Sequence, residues 1–404
     1  MQFNYKLTDN KGKISKGKLE AANIQEARNR LALQEGTLVS LEQRGQEKEG
    51  ALKKQFIIGN MRLVDRVMMS KHLSVMIKSG MSIDSALEVL GDGSSPLIRD
   101  RMIGLLNEVR KGNSFANALK KYPKDFNKLF VNMVAVGESS GTLAKNLEIL
   151  AVQQHKTYEL RSKIKAASIY PIIVLIAVLG LMTMVSTLVL PKLKTFFTAL
   201  GDNMPPLTRF LQAASSFLSS YWWLIIACVV GITVLAQVLE RFYNTRLWLH
   251  YFYLKIPIVG HIIRQMNLAL YCRTMASLLN SGITIDQSLK IVSDTLTNAV
   301  YREQLLIVYH NILKGNALSD AMANRHYFPP MLFRMIKVGE NSGNLSEVLD
   351  YLADFYEEGV DNAAKNFSST LEPVLLIMIG LTVGVVALGI IQPIFKLMEL
   401  SGGQ

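Results

Sequence analysis

The feature that most constrains the fold is a repeat within the chain, spaced 202 residues apart. VGESSGTL (Val136 to Leu143) returns as VGENSGNL (Val338 to Leu345), and KSGMSIDSAL (Lys78 to Leu87) returns as NSGITIDQSL (Asn280 to Leu289). KGNSFANAL (Lys111 to Leu119) matches KGNALSDAM (Lys314 to Met322) one residue further on, which puts a single insertion in the second copy. YPII at Tyr170 then matches EPVL at Glu372, and VLPKLK (Val189 to Lys194) matches IQPIFK (Ile391 to Lys396), again at the original spacing. A period this long signals a duplicated module. One unit runs from Arg62 to Lys194 and the other from Arg264 to Lys396.

Each unit closes on a run without charge. None occurs between Lys165 and Lys192, nor from Pro373 to Phe395, and a third run, Tyr221 to Leu239, opens on the aromatic cluster YWW. A helix needs ~20 apolar residues to cross ~30 Å of hydrocarbon, and each run meets that length. In a chain that is 50% hydrophobic, three such runs predict a polytopic membrane protein. The opening MQFNYKLTDNKGK is polar, with no apolar signal region, so the N-terminus is expected in the cytoplasm. Arg161, Lys163 and Lys165 before the first run, and Arg241 and Arg246 after the second, agree with that orientation, while Lys192 and Lys194 dissent mildly.

Parity then fixes the layout. If both copies fold in one compartment, the chain crosses an even number of times between them. The expected organisation is a small α+β domain at 1–43, a linker at 44–61, helical copy one at 62–166 and a transmembrane helix at 167–191. An outer loop follows at 192–220, a second transmembrane helix at 221–239 and a connector at 240–263. Helical copy two occupies 264–370, a third transmembrane helix 371–396, and a short outer tail 397–404. The fold class is thus mostly α, with three transmembrane helices and two homologous six-helix bundles in the cytoplasm.

Within the copies, apolar residues recur at three and four positions, as in LSVMIKSG, which is the helical period. Gly80, Gly112, Gly282 and Gly315 stand where helices should end, Thr284 with Gln287 has capping-box spacing, and Pro96 suits a first turn. Gly137 and Gly141, with Gly339 and Gly343 in copy two, are expected to bend the chain where side chains would clash. Glu138 and Glu340 each follow a glycine and admit two readings. One is a carboxylate accepting amide hydrogens at a helix start or pairing with a cation; the other is a docking carboxylate for a partner's Arg, or a ligand for a hard cation.

Several function classes are excluded by what the chain lacks. It has no GxxxxGK[ST] phosphate cradle, no HExxH and no GxSxG, and its six histidines never fall four apart on a helix. No catalytic residue, cofactor or metal site is expected, and the chain is read as a non-enzyme. The uncharged runs carry no Asp, Glu, Lys, Arg or His, whereas coupled transporters need such groups in the membrane. Gly380, Gly384 and Gly389 with Thr382 give the third run small surfaces that favour helix association. Residues 1–166 hold 28 Lys and Arg against 17 Asp and Glu, which accounts for 11 of the net charge of +12. That surplus is scattered, without aromatic interleaving, so it suits anionic lipid rather than nucleic acid. Copy one (Arg62 to Lys165) carries +7 and copy two (Arg264 to Ser368) −2, so a head-to-tail contact between copies is expected.

Taken together, several motifs resemble a known family. They are the paired GExSGxL modules, LKIPIVGHIIRQMNLALYCRTMASLLNSGITI, VLPKLKTFFTALGDNMPPLTRFL, and the ending EPVLLIMIGLTVGVVALGIIQPIFKL. The chain is similar over essentially its whole length to the inner-membrane platform proteins of type IV pilus and type II secretion machines. The resemblance implies a non-enzymatic, homo-oligomeric component of the bacterial inner membrane, working beside other inner-membrane assembly proteins. Its cytoplasmic domains would contact a hexameric assembly ATPase, and its membrane part would help add pilin or pseudopilin subunits to a fibre. The family pattern falls on Gly80, Gly137, Glu138 and Gly141, on Gly282, Gly339, Glu340 and Gly343, and on Pro171, Pro191, Pro373 and Pro393 at the span ends. Where the family usually has Pro after the turn glycine, this chain has Met81-Ser82 and Ile283-Thr284. The rival reading is a small membrane transporter or channel subunit.

Overall fold

The structure is a computed structural model that describes residues 2–8, 14–21, 37–43, 59–184, 237–323 and 325–401, with scattered positions between 209 and 235. It divides into two units, 1–59 and 60–404.

The first unit contains three antiparallel strands, β1 (Gln2–Thr8), β2 (Ile14–Glu20) and β3 (Thr37–Gln43), in the order β2-β1-β3. Alternation in FNYKLT sets the register, with Phe3 opposite Leu19 and Tyr5 opposite Leu41. The register slips by one between Lys6 and Leu7 on the β3 side. Residues 22–36, between β2 and β3, and the linker as far as residue 58 lie outside the described residues.

The second unit is helical. Copy one comprises α1 (Leu63–Lys78), α2 (Ile83–Asp92), α3 (Pro96–Arg110), α4 (Phe115–Lys120), α5 (Lys128–Ser140) and α6 (Leu143–Met184). After α7 (Tyr243–Lys255), copy two follows as α8 (Val259–Asn280), α9 (Ile285–Thr295), α10 (Ala299–Ile312), α11 (Leu318–Ala323), α12 (Pro330–Ser342) and α13 (Leu345–Ser401). The inserted residue lies in α9, which has 11 residues against 10 in α2. By α12 the original spacing has returned.

Helix ends explain the repeated glycines. Gly80 has φ 87°; its N–H donates to Ile77 O, and the next N–H, of Met81, reaches back to Met76 O. This double bond closes the last turn of α1 and needs a left-handed residue. Gly112, Gly282 and Gly315 repeat the same pair of bonds at φ 87°, 82° and 87°. Pro96 opens α3. The Thr284 box does not form: Thr284 is the N-cap of α9 without a capping bond, because its hydroxyl instead bonds Asp286 and holds that carboxyl below its usual range.

Both copies share one core. Leu73, Leu87, Leu147 and Leu150 are fully buried, as are their counterparts Met275, Leu289, Leu349 and Leu352. The last helix of each copy then leaves the core. α6 has 42 residues and α13 has 57, about 63 Å and about 85 Å of continuous helix. Beyond the bundle their surfaces are exposed and apolar: Ile172, Ile173 and Ile176 on α6, and Leu376, Ile377 and Leu381 on α13. Leu143–Leu181 and Leu345–Gly389 are long and apolar enough to cross a membrane. Apolar faces of this extent are not left to water in a soluble protein. The run at 221–239 falls partly outside the described residues, and its described positions up to Leu239 are helical.

The prolines do not end helices. Pro171 and Pro373 both lie inside continuous α6 and α13, although proline removes one backbone donor from a helix. Pro393 also lies within α13, and Pro191 is outside the described residues.

Candidate functional site

Each copy carries one carboxylate clamped onto a short helix. Glu138 on α5 accepts hydrogen bonds from the Phe115 N–H (2.6 Å) and the Ala116 N–H (2.8 Å), the first two amides of α4. Glu340 on α12 accepts from the Leu318 N–H (2.6 Å) and the Ser319 N–H (3.0 Å) at the start of α11. Both oxygens of each carboxylate are engaged. Those amides have no intrahelical acceptor, and the helix dipole concentrates positive potential there, so a half-buried carboxylate stabilises the start of a six-residue helix that could not stand alone. Among the described residues no cluster of His, Cys, Asp and Glu could hold a metal.

The glycines around the clamp have separate tasks. Gly141 and Gly343, at φ 70° and 73°, cap α5 and α12 in the left-handed conformation. Gly137 and Gly339 lie inside those helices, where the next helix crosses. A Cβ on Gly137 would stand 2.9 Å from Leu143 Cα, and one on Gly339 would stand 3.0 Å from Leu345 Cα. The motif thus makes a close crossing, a reversal and a clamp within five residues.

The two copies also meet each other. α5 and α6 of copy one lie against α8, α9 and α13 of copy two. Lys128 pairs with Asp294 at 2.7 Å, Lys156 with Glu357 at 3.3 Å and Lys163 with Asp361 at 3.5 Å, all with the cation on copy one. The head-to-tail expectation from net charge is therefore met inside a single chain. Gln153 Nε2 donates to Thr274 Oγ1 within the contact (3.4 Å). A cavity of about 90 Å³ beside this bond is lined by Arg66, Asp125, Gln154 and Arg161 among others.

Beside this contact, and within copy two, Arg273 on α8 ties α8 to α13, where Lys156 of copy one also reaches Asp354 and Glu357. Its Nε donates to Glu357 (2.8 Å), one terminal nitrogen to Asp350 (2.9 Å) and the other to Asp354. The three acids stand at i, i+4 and i+7 on one face of α13. Burial opposes the charge on Arg273, but the bonds to Glu357 and Asp354 outweigh it and raise the guanidinium above its ordinary value. Sequence reasoning missed this cluster, because the signal was a stripe of acids that reads as a solvated face until the arginine from α8 is seen beneath it. Cys272, next to it, is buried, which pushes its thiol up and leaves it inert.

The sequence that builds this geometry matches a known family. The family model described as "Type II secretion system (T2SS), protein F" matches twice, at residues 69–191 and 271–393, the spacing of the internal repeat. Its N-terminal domain model matches residues 1–42. The type IV pilus assembly protein PilC of Thermus thermophilus is 31% identical over 98% of each chain. PilC of Pseudomonas aeruginosa is 31% identical over 84% of this chain and 91% of its own. The type II secretion system protein F of Vibrio cholerae is 29% identical over 98% of each chain.

Proposed function

This chain belongs to the type II secretion system protein F family, and from that membership we propose that it is the inner-membrane platform of a machine that polymerises pilin or pseudopilin subunits. On this reading the chain is multi-pass, with three transmembrane helices and a cytoplasmic N-terminus, and both bundles lie in the cytoplasm. The bundles receive a hexameric assembly ATPase, and the spans act on the subunits being added to the fibre. The protein is a non-enzymatic, homo-oligomeric coupling element.

One observation carries the reading: α6 and α13 run without a break from the paired bundles into exposed apolar segments. A helix transmits axial force and torque along its length, so a push on a bundle reaches the bilayer. Glu138, Glu340 and the glycines keep each bundle rigid enough to pass that push on. Pro171, Pro191, Pro373 and Pro393 belong to the same coupling region.

The test is a deletion in the parent bacterium complemented with the full chain. Loss of surface filaments or of secretion, restored by the wild-type gene, is expected, together with co-purification of an ATPase carrying a Walker motif. Normal filaments and secretion in the deletion strain, or solute flux through vesicles holding the purified chain, would overturn it.

A further inference from the structure

The contact between the copies joins the equivalent helices α6 and α13, but its flanks, α6 on α8 and α5 on α9, are one-sided. Copy one gives α5 and α6, and copy two receives them on α8, α9 and α13; among the described residues no comparable packing joins the reciprocal pairs, α1 with α13 or α2 with α12. A duplicated module that meets itself through two different faces leaves one of each face unused. Copy one retains a receiving face on α1 and α6, and copy two retains a donating face on α12 and α13.

Both unused faces are apolar and uncovered. On copy one, Met68 is 47% exposed and Val75 57%, whereas their buried counterparts Leu270 and Ser277 are each 6% exposed. Val152 (52% exposed) joins them in a groove of about 310 Å³ that Lys71 and His155 also line. On copy two, Tyr351 is 56% exposed and Phe355 44%, whereas Gln153, the counterpart of Phe355, is 5% exposed within the contact. Large aromatic rings with a polar handle or edge, standing out from a helix, are typical anchors for a protein interface.

Part of the charge pattern survives transfer of the contact from one pair of faces to the other, although the Lys128–Asp294 pair is lost because the counterpart of Lys128 is Pro330. Lys156, which meets Asp354 and Glu357, has Glu358 as its counterpart. The counterparts of Asp354, Glu357 and Arg273 are Val152, His155 and Lys71. The cation Lys156 is thus replaced by an acid, while the facing acids Asp354 and Glu357 give way to Val152 and His155 and the cation is kept as Lys71, which leaves Glu358 a cation to face. Lys163 with Asp361 becomes Lys365 with Glu159, and the sign is kept.

We propose that the α1–α6 groove of copy one receives the Tyr351–Phe355–Glu358 face of copy two from a second copy of this chain, so that chains join head to tail by repeating between molecules the contact made within one. This deepens the homo-oligomer in the platform reading and rests on it. A contact of this kind builds a closed ring or an open row according to the angle it imposes, not a two-fold dimer.

The test uses two differently tagged full-length chains expressed together in membranes, with exposed Cys228 replaced by Ser and buried Cys272 retained. One chain carries Val152→Cys and the other Phe355→Cys. A disulfide-linked product bearing both tags is expected, with little product from either substitution alone. Glu358→Lys should lower its yield about threefold, the scale of one exposed ion pair, and Lys71→Glu on the other chain should restore it. Linkage of Val152→Cys to itself as strong as the mixed product, or no mixed product at all, overturns the proposal. Filament assembly is scored separately: a missing crosslink in a strain that still makes filaments sinks the interface and leaves the platform reading standing, whereas an intact crosslink in a strain unaffected by deletion of the gene sinks only the platform reading.

Discussion

The hydroxyl of Ser368 on α13 donates to the carbonyl of Ala167 on α6 at 3.1 Å. Ala167 lies four residues before Pro171, so this is the carbonyl that the missing proline N–H leaves without a helical donor. The second copy thus completes a hydrogen bond that the first cannot make for itself, at the point where both helices leave the bundle.

Ser368→Ala should therefore cost about 1 kcal/mol, the usual net worth of such a bond. Pro171→Ala restores the helical donor, so in that background the serine substitution should cost far less. A double-mutant cycle by thermal unfolding of the detergent-solubilised chain measures the coupling. Equal costs in both backgrounds would mean that the two sites are independent.

The Glu138 clamp gives a local prediction. Glu138→Ala strands the amides of Phe115 and Ala116 and should destabilise copy one by about 3 kcal/mol, given ~1.5–3 kcal/mol for a bond to a charged group. Glu138→Gln keeps one acceptor and should cost less. Hydrogen exchange read at those two amides should accelerate in the Ala variant while the Leu318 and Ser319 amides, held by Glu340, stay protected.

Gly137 and Gly141 should respond differently to the same substitution. Gly141→Ala meets no neighbour within 4 Å and suffers only the left-handed φ of 70°, a cost of about 1 kcal/mol. Gly137→Ala drives a methyl into the Leu143 backbone, which cannot step aside. It should lower the unfolding midpoint by a clearly larger margin, and Gly339→Ala should do the same in copy two.

Arg273→Met should destabilise the packing of α8 on α13 within copy two by about 3–5 kcal/mol, because Asp350, Asp354 and Glu357 lose their shared cation and only Lys156 remains against Asp354 and Glu357. Arg273→Lys should recover little, since a single ammonium cannot reach three carboxylates at once. Thermal unfolding of the detergent-solubilised chain checks both variants.

Much of this was legible in the sequence for a reason that differs from element to element. Gly80 and Gly282 announce helix ends because a left-handed cap is a local demand that few residues meet. The duplication followed from the repeat, and the expectation of six helices per copy from the helical period of the apolar residues and the glycines that stop each helix. Thr284 misled, since capping-box spacing says nothing of a competing carboxylate two residues on. Pro171 was expected at a span end; the donor that lets the helix continue comes from Ser368, 201 residues away, which no local pattern contains. The partners of Glu138 and Arg273 were hidden for the same reason: each is supplied by another helix.

The Ser368–Ala167 bond also sets a geometry. It is the last described hydrogen bond joining α6 to α13, and from Ser368 to Ser401 α13 continues for about 50 Å. With a pivot there, a change of about 5° in the crossing of the two helices displaces the far end by about 4 Å, roughly the rise of three residues. On the platform reading proposed above, a slight shear of the duplicated bundles against each other would make them the short arm of a lever whose long arm is the apolar end of α13.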